Sequence, residues 1–264
     1  MILTNREIRA IKNLSEAKVR KAEGAFKAEG TKCVLDTISH FELRALIATS
    51  AWFDEHPDMA RRAAGSAVCL PAREMERVSS LQTPSDVVAV YSIPESPEAS
   101  YPCGLTVVVD GVQDPGNMGT ILRTCDWFGV RNVVCSPKCV DVYNPKVVQS
   151  TMGAISRIRV ATADLPAYIK AAPKSHRVFG TFLDGDSIYE VALPDDAIIV
   201  VGNEGRGISP ELGSMISDRL FIPPYPDEGS ETSESLNVAT ATAIVVAMFR
   251  RQSAAGAAGN GRNR

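Results

Sequence analysis

The apolar, mostly β-branched run Ala197-Ile198-Ile199-Val200-Val201 leads directly into Gly202-Asn203-Glu204-Gly205-Arg206-Gly207-Ile208-Ser209. An apolar run without polar alternation belongs to a strand covered on both faces, so this segment predicts a central strand of a parallel sheet. Gly202, Gly205 and Gly207 permit a sharp turn and a close backbone approach, and Glu204 is the only acid among them. Ser209-Pro210-Glu211 then reads as the cap, first-turn proline and first-turn acid of a helix. Open α/β sheets bind ligands beyond the carboxyl ends of their strands, which makes this loop the first candidate site. Taken alone, the same glycines serve a tight strand-to-helix turn equally well.

The chain has 264 residues, 45% apolar and 22% charged, which suits one large or two ordinary globular domains. No apolar run approaches the ~20 residues of a membrane span, and the N-terminus has no signal-peptide core, so no membrane role and a cytoplasmic location are expected. Six cysteines without CxxC spacing suggest reduced thiols. Cys135 and Cys139 are four apart, but there is no second pair, and no metal is expected. His40, His56 and His176 lie outside every glycine-rich or polar cluster, which argues against a histidine base or a zinc-bound water. The net charge is −3, yet residues 1–32 hold eight Lys/Arg against four Glu, a local +4. That face suits a polyanion, and a solvated helix would look the same.

Residues 5–30 carry helix formers, with Ile8, Ile11 and Leu14 in amphipathic spacing. Shorter mixed segments follow at 43–49 and 66–70, and 86–92 reads as a strand. The stretch Ile93-Pro94-Glu95-Ser96-Pro97-Glu98-Ala99-Ser100-Tyr101-Pro102 is the linker candidate, with the boundary between a small α/β domain, 1–98, and a larger one, 99–252, placed within it. In the larger domain strands are expected at 105–109, 132–135, 155–160, 177–183, 197–201 and 220–222. Helices are expected at 120–128, from Pro145 and over 236–251. That alternation implies a mostly parallel sheet with helices on both faces. The tail 253–264 has nothing to bury and is expected to be disordered.

Two further clusters stand beside the glycine loop. Asn117, Gly119 and Arg123 form N-x-G-x-x-x-R at a helix start, with Arg123 one turn beyond Gly119. A helix N-terminus with an added guanidinium suits a phosphate, although a surface arginine on a helix has the same spacing. Ser235 and Asn237 precede Val238-Ala239-Thr240-Ala241-Thr242, where short polar residues cap a helix and small residues permit close packing.

In this order and spacing, the three clusters resemble the three motifs of the SpoU (TrmH-type) RNA 2′-O-ribose methyltransferases of the SPOUT superfamily, over roughly residues 104–251. Lys18-Val19-Arg20 through Phe26-Lys27-Ala28-Glu29-Gly30 is similar to the small L30e-like RNA-binding domain that many members carry. The resemblance implies a sheet whose C-terminal part is threaded into a deep trefoil knot, an exception to the rule against knots. It implies S-adenosylmethionine (AdoMet) held there by Gly202, Glu204, Ile222 and Leu236, with Thr181 or Phe182 at the preceding strand end. It implies Lys18, Arg20, Lys21 and Arg123 as RNA contacts, and a homodimer with the site near its interface. Ribosomal RNA is favoured over transfer RNA, because compact members without the extra domain often act on the latter.

The implied reaction is methyl transfer to a ribose 2′-hydroxyl, a poor nucleophile that loses its proton as it attacks. A guanidinium is almost never neutral, so Arg123 is expected to position the phosphate and stabilise the developing alkoxide, with base action a second possibility. Asn117, Glu204, Ser235 and Asn237 would order the hydroxyl and the arginine. The chain departs from the family in a longer, acidic loop at 224–234, which bears on substrate choice and on the cofactor contacts just after Ile222. A non-catalytic RNA-binding protein of the same fold is an alternative, disfavoured by the presence of all five site residues. A nucleotide-dependent oxidoreductase would need G-x-G-x-x-G after the first strand, and Gly111-Val112-Gln113-Asp114-Pro115-Gly116 does not fit.

Overall fold

The computed structural model describes residues 3–225 and 233–260, with side chains through Gln252. By packing, the chain forms two units: Met1–Glu95 with Asp141–Arg157, and Ser96–Val140 with Ile158–Arg264.

The first unit opens with helix α1 (Asn5–Asn13). Thr4 caps it, accepting Glu7 N at 3.3 Å while its own N–H donates to Glu7 Oε2 at 2.7 Å, a reciprocal capping box. Helix α2 (Ala17–Glu23) stops at Gly24, whose φ of 56° only glycine adopts cheaply. Here the helical reading of residues 5–30 fails: Ala25–Glu29 is strand β1, buried along its whole length. Then follow α3 (Thr31–Thr37), β2 (Leu43–Ala48), α4 (Ser50–Glu55), α5 (Pro57–Arg62), β3 (Ala67–Cys69) and β4 (Val87–Ser92). The sheet runs β1-β4-β2-β3, antiparallel except for the β2–β3 pair. Phe26, Leu46, Ala89 and Tyr91 pack with α3 on one side, and Ile8, Ile11, Ile47 and Val88 pack on the other.

The second unit starts with β5 (Leu105–Val109), α6 (Pro115–Trp127) and β6 (Asn132–Cys135); both strands fall where the apolar runs put them, but α6 begins at Pro115 rather than at residue 120, because Asp114 caps it. The chain then leaves it, and α7 (Pro145–Thr151) packs in the first unit. It returns for β7 (Arg159–Thr162), α8 (Leu165–Lys170), β8 (Arg177–Phe182), β9 (Asp186–Ser187), β10 (Ala197–Val201), α9 (Pro210–Gly213), β11 (Asp218–Phe221) and α10 (Val238–Asn260). Its seven strands are all parallel, in the order β7-β6-β5-β10-β8-β11-β9. The expected strand at 155–160 is displaced: Met152 and Gly153 take positive φ and Ala154–Ser156 is a 3-10 turn, so the strand starts only at Arg159. The tail also differs from expectation: α10 continues to Asn260, and residues 261–264 lie outside the described residues.

The segment 141–157 packs with the first unit although it lies in sequence between strands of the second. Val148 and Ile155 enter the core around Phe26, and the Tyr143 ring lies 4.7 Å from that of Phe26. Ser156 Oγ donates to Asp36 O at 3.2 Å. The same segment explains Arg20, expected among the RNA contacts but only 2% exposed. Its Nε and Nη2 donate to Asp141 Oδ2 at 2.8 and 2.6 Å, and Nη1 donates to the Leu14 and Ser15 carbonyls at 2.7 and 2.9 Å. Arg20 is therefore a buried structural cation. Lys18 and Lys21 remain exposed, Lys18 lying 3.2 Å from Glu16.

Removing Asp141 strands that buried charge. Asp141→Ala should lower the stability of the first unit by about 2 kcal/mol in urea unfolding, while Lys21→Ala stays within about 0.5 kcal/mol of wild type.

Candidate functional site

Strands β5 and β10 lie side by side and end in register, with Val109 opposite Val201. From β5 the chain runs outward through β6 and β7 on one side; on the other side of β10 lie β8, β11 and β9. The carboxyl ends of β5 and β10 are thus the topological switch point, where open α/β sheets form a crevice. Two bonds lock the loops there. Asp110 N donates to Val201 O at 2.9 Å, and its buried carboxylate accepts Ser209 N at 2.9 Å, so the exit of the glycine loop is tied to the end of β5. The glycine loop closes on itself through paired Asn203–Gly207 bonds, both 2.9 Å. Gly202 is required by that closure: a Cβ there would sit 2.2 Å from Gly207 C and Ile208 N.

Helix α6 begins beyond the end of β5, where Asp114 caps it, accepting Asn117 N at 2.8 Å, with Pro115 in the first turn. Glu204 reaches across from the glycine loop. Its Oε1 accepts Asp114 N at 3.2 Å and Asn117 Nδ2 at 3.1 Å, and its Oε2 accepts Gln113 N at 3.4 Å. Partial burial raises the Glu204 pKa, but the hydrogen bonds from Asn117 and the backbone outweigh it and leave the group below its ordinary 4.5. Asn117 Oδ1 in turn accepts Asn237 Nδ2 at 2.8 Å. Asn237 caps α10, accepting Ala239 N at 2.9 Å and Thr240 N at 3.3 Å. One chain of hydrogen bonds, Glu204–Asn117–Asn237, therefore joins three loops widely separated in sequence, and it fixes which end of the Asn117 amide donates.

The remaining expected residues divide. Thr181 and Phe182 end β8, Gly202 follows β10 and Ile222 follows β11, so the adjacency of these parallel strands sets them along one edge of the sheet. The Phe182 ring is covered by the Arg219 guanidinium, 3.5 Å above its centroid. Leu236 is exposed although apolar. Ser235 is exposed and forms no hydrogen bond with the described residues, so the structure does not bring it into the network. Arg123 also stands apart: six residues beyond Asn117, it projects roughly 120° away around the helix. It is exposed and unpaired among the described residues. Residues 226–232 of the acidic loop lie outside the described residues. Asp110 and Asn203 are in the site without having been singled out, since a strand-end acid and an asparagine among glycines look like ordinary turn residues. Among the described residues no three His, Cys, Asp or Glu side chains converge as metal ligands, and no helix is long and apolar enough to cross a membrane.

Residues 104–247 match the SpoU rRNA Methylase family, and residues 5–89 match the MRM3-like substrate binding domain. The 23S rRNA (guanosine(2553)-2′-O)-methyltransferase RlmP of Bacillus subtilis is 34% identical over 175 residues, covering 66% of this chain and 68% of the relative. Among solved structures, a TrmH-family protein from Porphyromonas gingivalis superposes with a TM-score of 0.83 at 41% identity, covering 96% of this chain and all of that one. An AdoMet-bound rRNA methyltransferase from Sinorhizobium meliloti superposes with a TM-score of 0.81 at 25% identity, covering 95% of this chain and 96% of that one. With motifs, switch-point site and family match agreeing, this chain belongs to the SpoU rRNA methylase family.

Proposed function

We propose that this chain is an AdoMet-dependent RNA 2′-O-ribose methyltransferase acting on ribosomal rather than transfer RNA. The observation that carries the reading is the hydrogen-bond chain Glu204–Asn117–Asn237, which assembles the three motifs at the switch point. The donor set fits the cofactor. Gly202, Thr181 and Ile222 stand at neighbouring strand ends and offer backbone groups, a hydroxyl and apolar surface, and Leu236 is an exposed apolar residue near the start of α10. These residues, with the Phe182 backbone and Glu204, would hold AdoMet. When bound, the cofactor supplies an electrophilic methyl group on a sulfonium.

The protein's own residues handle the ribose. Arg123 positions the adjacent phosphate and stabilises the oxygen as it gains negative charge. Asn117 and Asn237 each keep unused amide hydrogens that can orient a hydroxyl, and Ser235 is close in sequence to the same helix start. Base action by Arg123 remains the second reading of that residue.

The same proposal covers assembly and location. Residues 1–98 serve as the RNA-binding part, Lys18 and Lys21 contributing charge, with the methyltransferase part in 99–252. The segment after β10 forms the trefoil knot. A homodimer is proposed through α6, where Trp127 is 85% exposed one turn beyond Arg123. Covering a tryptophan of that exposure with a second copy would bring Arg123 to an interface. A cytoplasmic location is proposed with it.

Mass spectrometry of ribose-methylated nucleosides in rRNA and tRNA, from cells with and without the gene, tests the reading. Loss of one 2′-O-methyl nucleoside from rRNA is expected; no change in any nucleoside would refute it. Arg123→Ala should cut methyl transfer about 100-fold or more while AdoMet affinity by calorimetry stays within about twofold. Because the Glu204 pKa is lowered by folding, its contribution is complete above the unfolded value of 4.5 and is lost as pH falls through the native one. AdoMet affinity should therefore be flat from about pH 5.5 upward and weaken on acidification, and Glu204→Gln should abolish that acid limb.

A further inference from the structure

Glu204 is exposed, on a loop containing three glycines, yet its carboxylate is directed at two backbone N–H groups and the Asn117 amide. Something must hold it against the conformational freedom of that loop. Every polar group of the preceding residue, Asn203, is engaged. Its backbone pairs with Gly207, and its Oδ1 accepts Gly205 N at 3.0 Å and Arg206 N at 3.1 Å, which winds the loop into one turn. Its Nδ2 does two things at once. It donates to Gly111 O at 2.7 Å, crossing from the glycine loop to the loop after β5, and to Glu204 Oε2 at 3.2 Å. Gly111 is buried, with a φ of 69°.

We propose that Asn203 is the positioning residue of the site: its amide clamps the glycine loop to Gly111 and aims the Glu204 carboxylate at Asn117. The inference rests on the methyltransferase reading for its effect on turnover, though its geometric core does not. The Asp110–Ser209 bond holds only the far end of the loop and reaches neither Glu204 nor Asn117. Among the described residues no other side chain donates to the Gly111 carbonyl. Asn203 touches no expected substrate atom, so its influence passes through Glu204.

The discriminating variant is Asn203→Asp, which keeps the oxygen that caps Gly205 and Arg206 but turns the donor end into a second carboxylate facing Gly111 O and Glu204. A like charge at that distance raises the Glu204 pKa. The other charged groups nearby, Asp110, Asp114 and Arg206, are the same in both proteins. Two readouts are taken on full-length protein: the Glu204 side-chain carboxyl titration by 13C NMR, and kcat and KM for methyl transfer to RNA. The expected result is an upward shift of the Glu204 midpoint by about one pH unit, and a kcat reduced about tenfold or more with the RNA KM within about twofold. The acid limb of the rate profile should move up with the Glu204 midpoint. Asn203→Ser, which shortens the side chain without adding charge, should lower kcat without moving the midpoint upward as far. It also keeps the question decidable if Asn203→Asp does not fold. An unshifted Glu204 titration in Asn203→Asp, or an unchanged kcat in both variants, overturns the proposal. A wild-type protein that transfers no methyl group refutes the functional reading instead, and the NMR titration still decides the role of Asn203.

Discussion

The parallel pairing of β5 with β10 is the constraint on which the site depends. These strands are far apart in sequence, and the residues between them build much of the rest of the sheet. Their pairing ends in register at Val109 and Val201, so the loops that follow emerge together. Two loops with polar side chains then face each other across a gap that a single hydrogen bond can span. Asp110 and Gly111 are the contact points on one side, and Ser209 and Asn203 on the other. Burial of the apolar β5 and β10 side chains supplies the free energy that holds this geometry, at roughly 25 cal/mol per Å2 of apolar surface removed from water.

Upon that frame the chemistry is arranged through amides rather than through titrating pairs. An ionised Glu204 accepts only, Asn237 caps a helix with its oxygen and donates with its nitrogen, and Asn117 between them does both. Such a relay has a sense of direction that an arginine or lysine in the same place would lack. It leaves the site without a strong base, which suits a reaction in which the protein stabilises charge on an oxygen rather than carrying a proton far. Arg123 stands outside the relay on another side of α6, so under the proposed reading charge stabilisation and loop organisation fall to separate faces of one helix.

Strands β5, β6 and β10 were legible to the residue, because unbroken β-branched runs bounded by polar or glycine residues have few other readings. Asn117, Glu204 and Asn237 were legible through their order along the chain, and the structure joins them. Arg20 was not: a basic residue in a basic helical stretch looks like surface, and its partner Asp141 lies 121 residues away. Strand β1 was hidden for a related reason, since Lys27 and Glu29 read as helix surface until their ion pair inside the fold is seen, at 3.1 Å. Asn203 and Asp110 were invisible as site residues because turn chemistry and site chemistry use the same side chains.

The excursion of residues 141–157 bears on how the molecule is made. Emerging from the ribosome, the first 95 residues bring the whole β1-β4-β2-β3 sheet but not the Tyr143, Val148 and Ile155 side chains that complete the core around Phe26. About sixty further residues must be translated first, several seconds at ordinary elongation rates. During that interval a patch of aromatic surface built from Phe26, Phe41 and Tyr91 lacks its later cover. The core of the first unit is thus completed by a segment that is translated only after the first strands of the second.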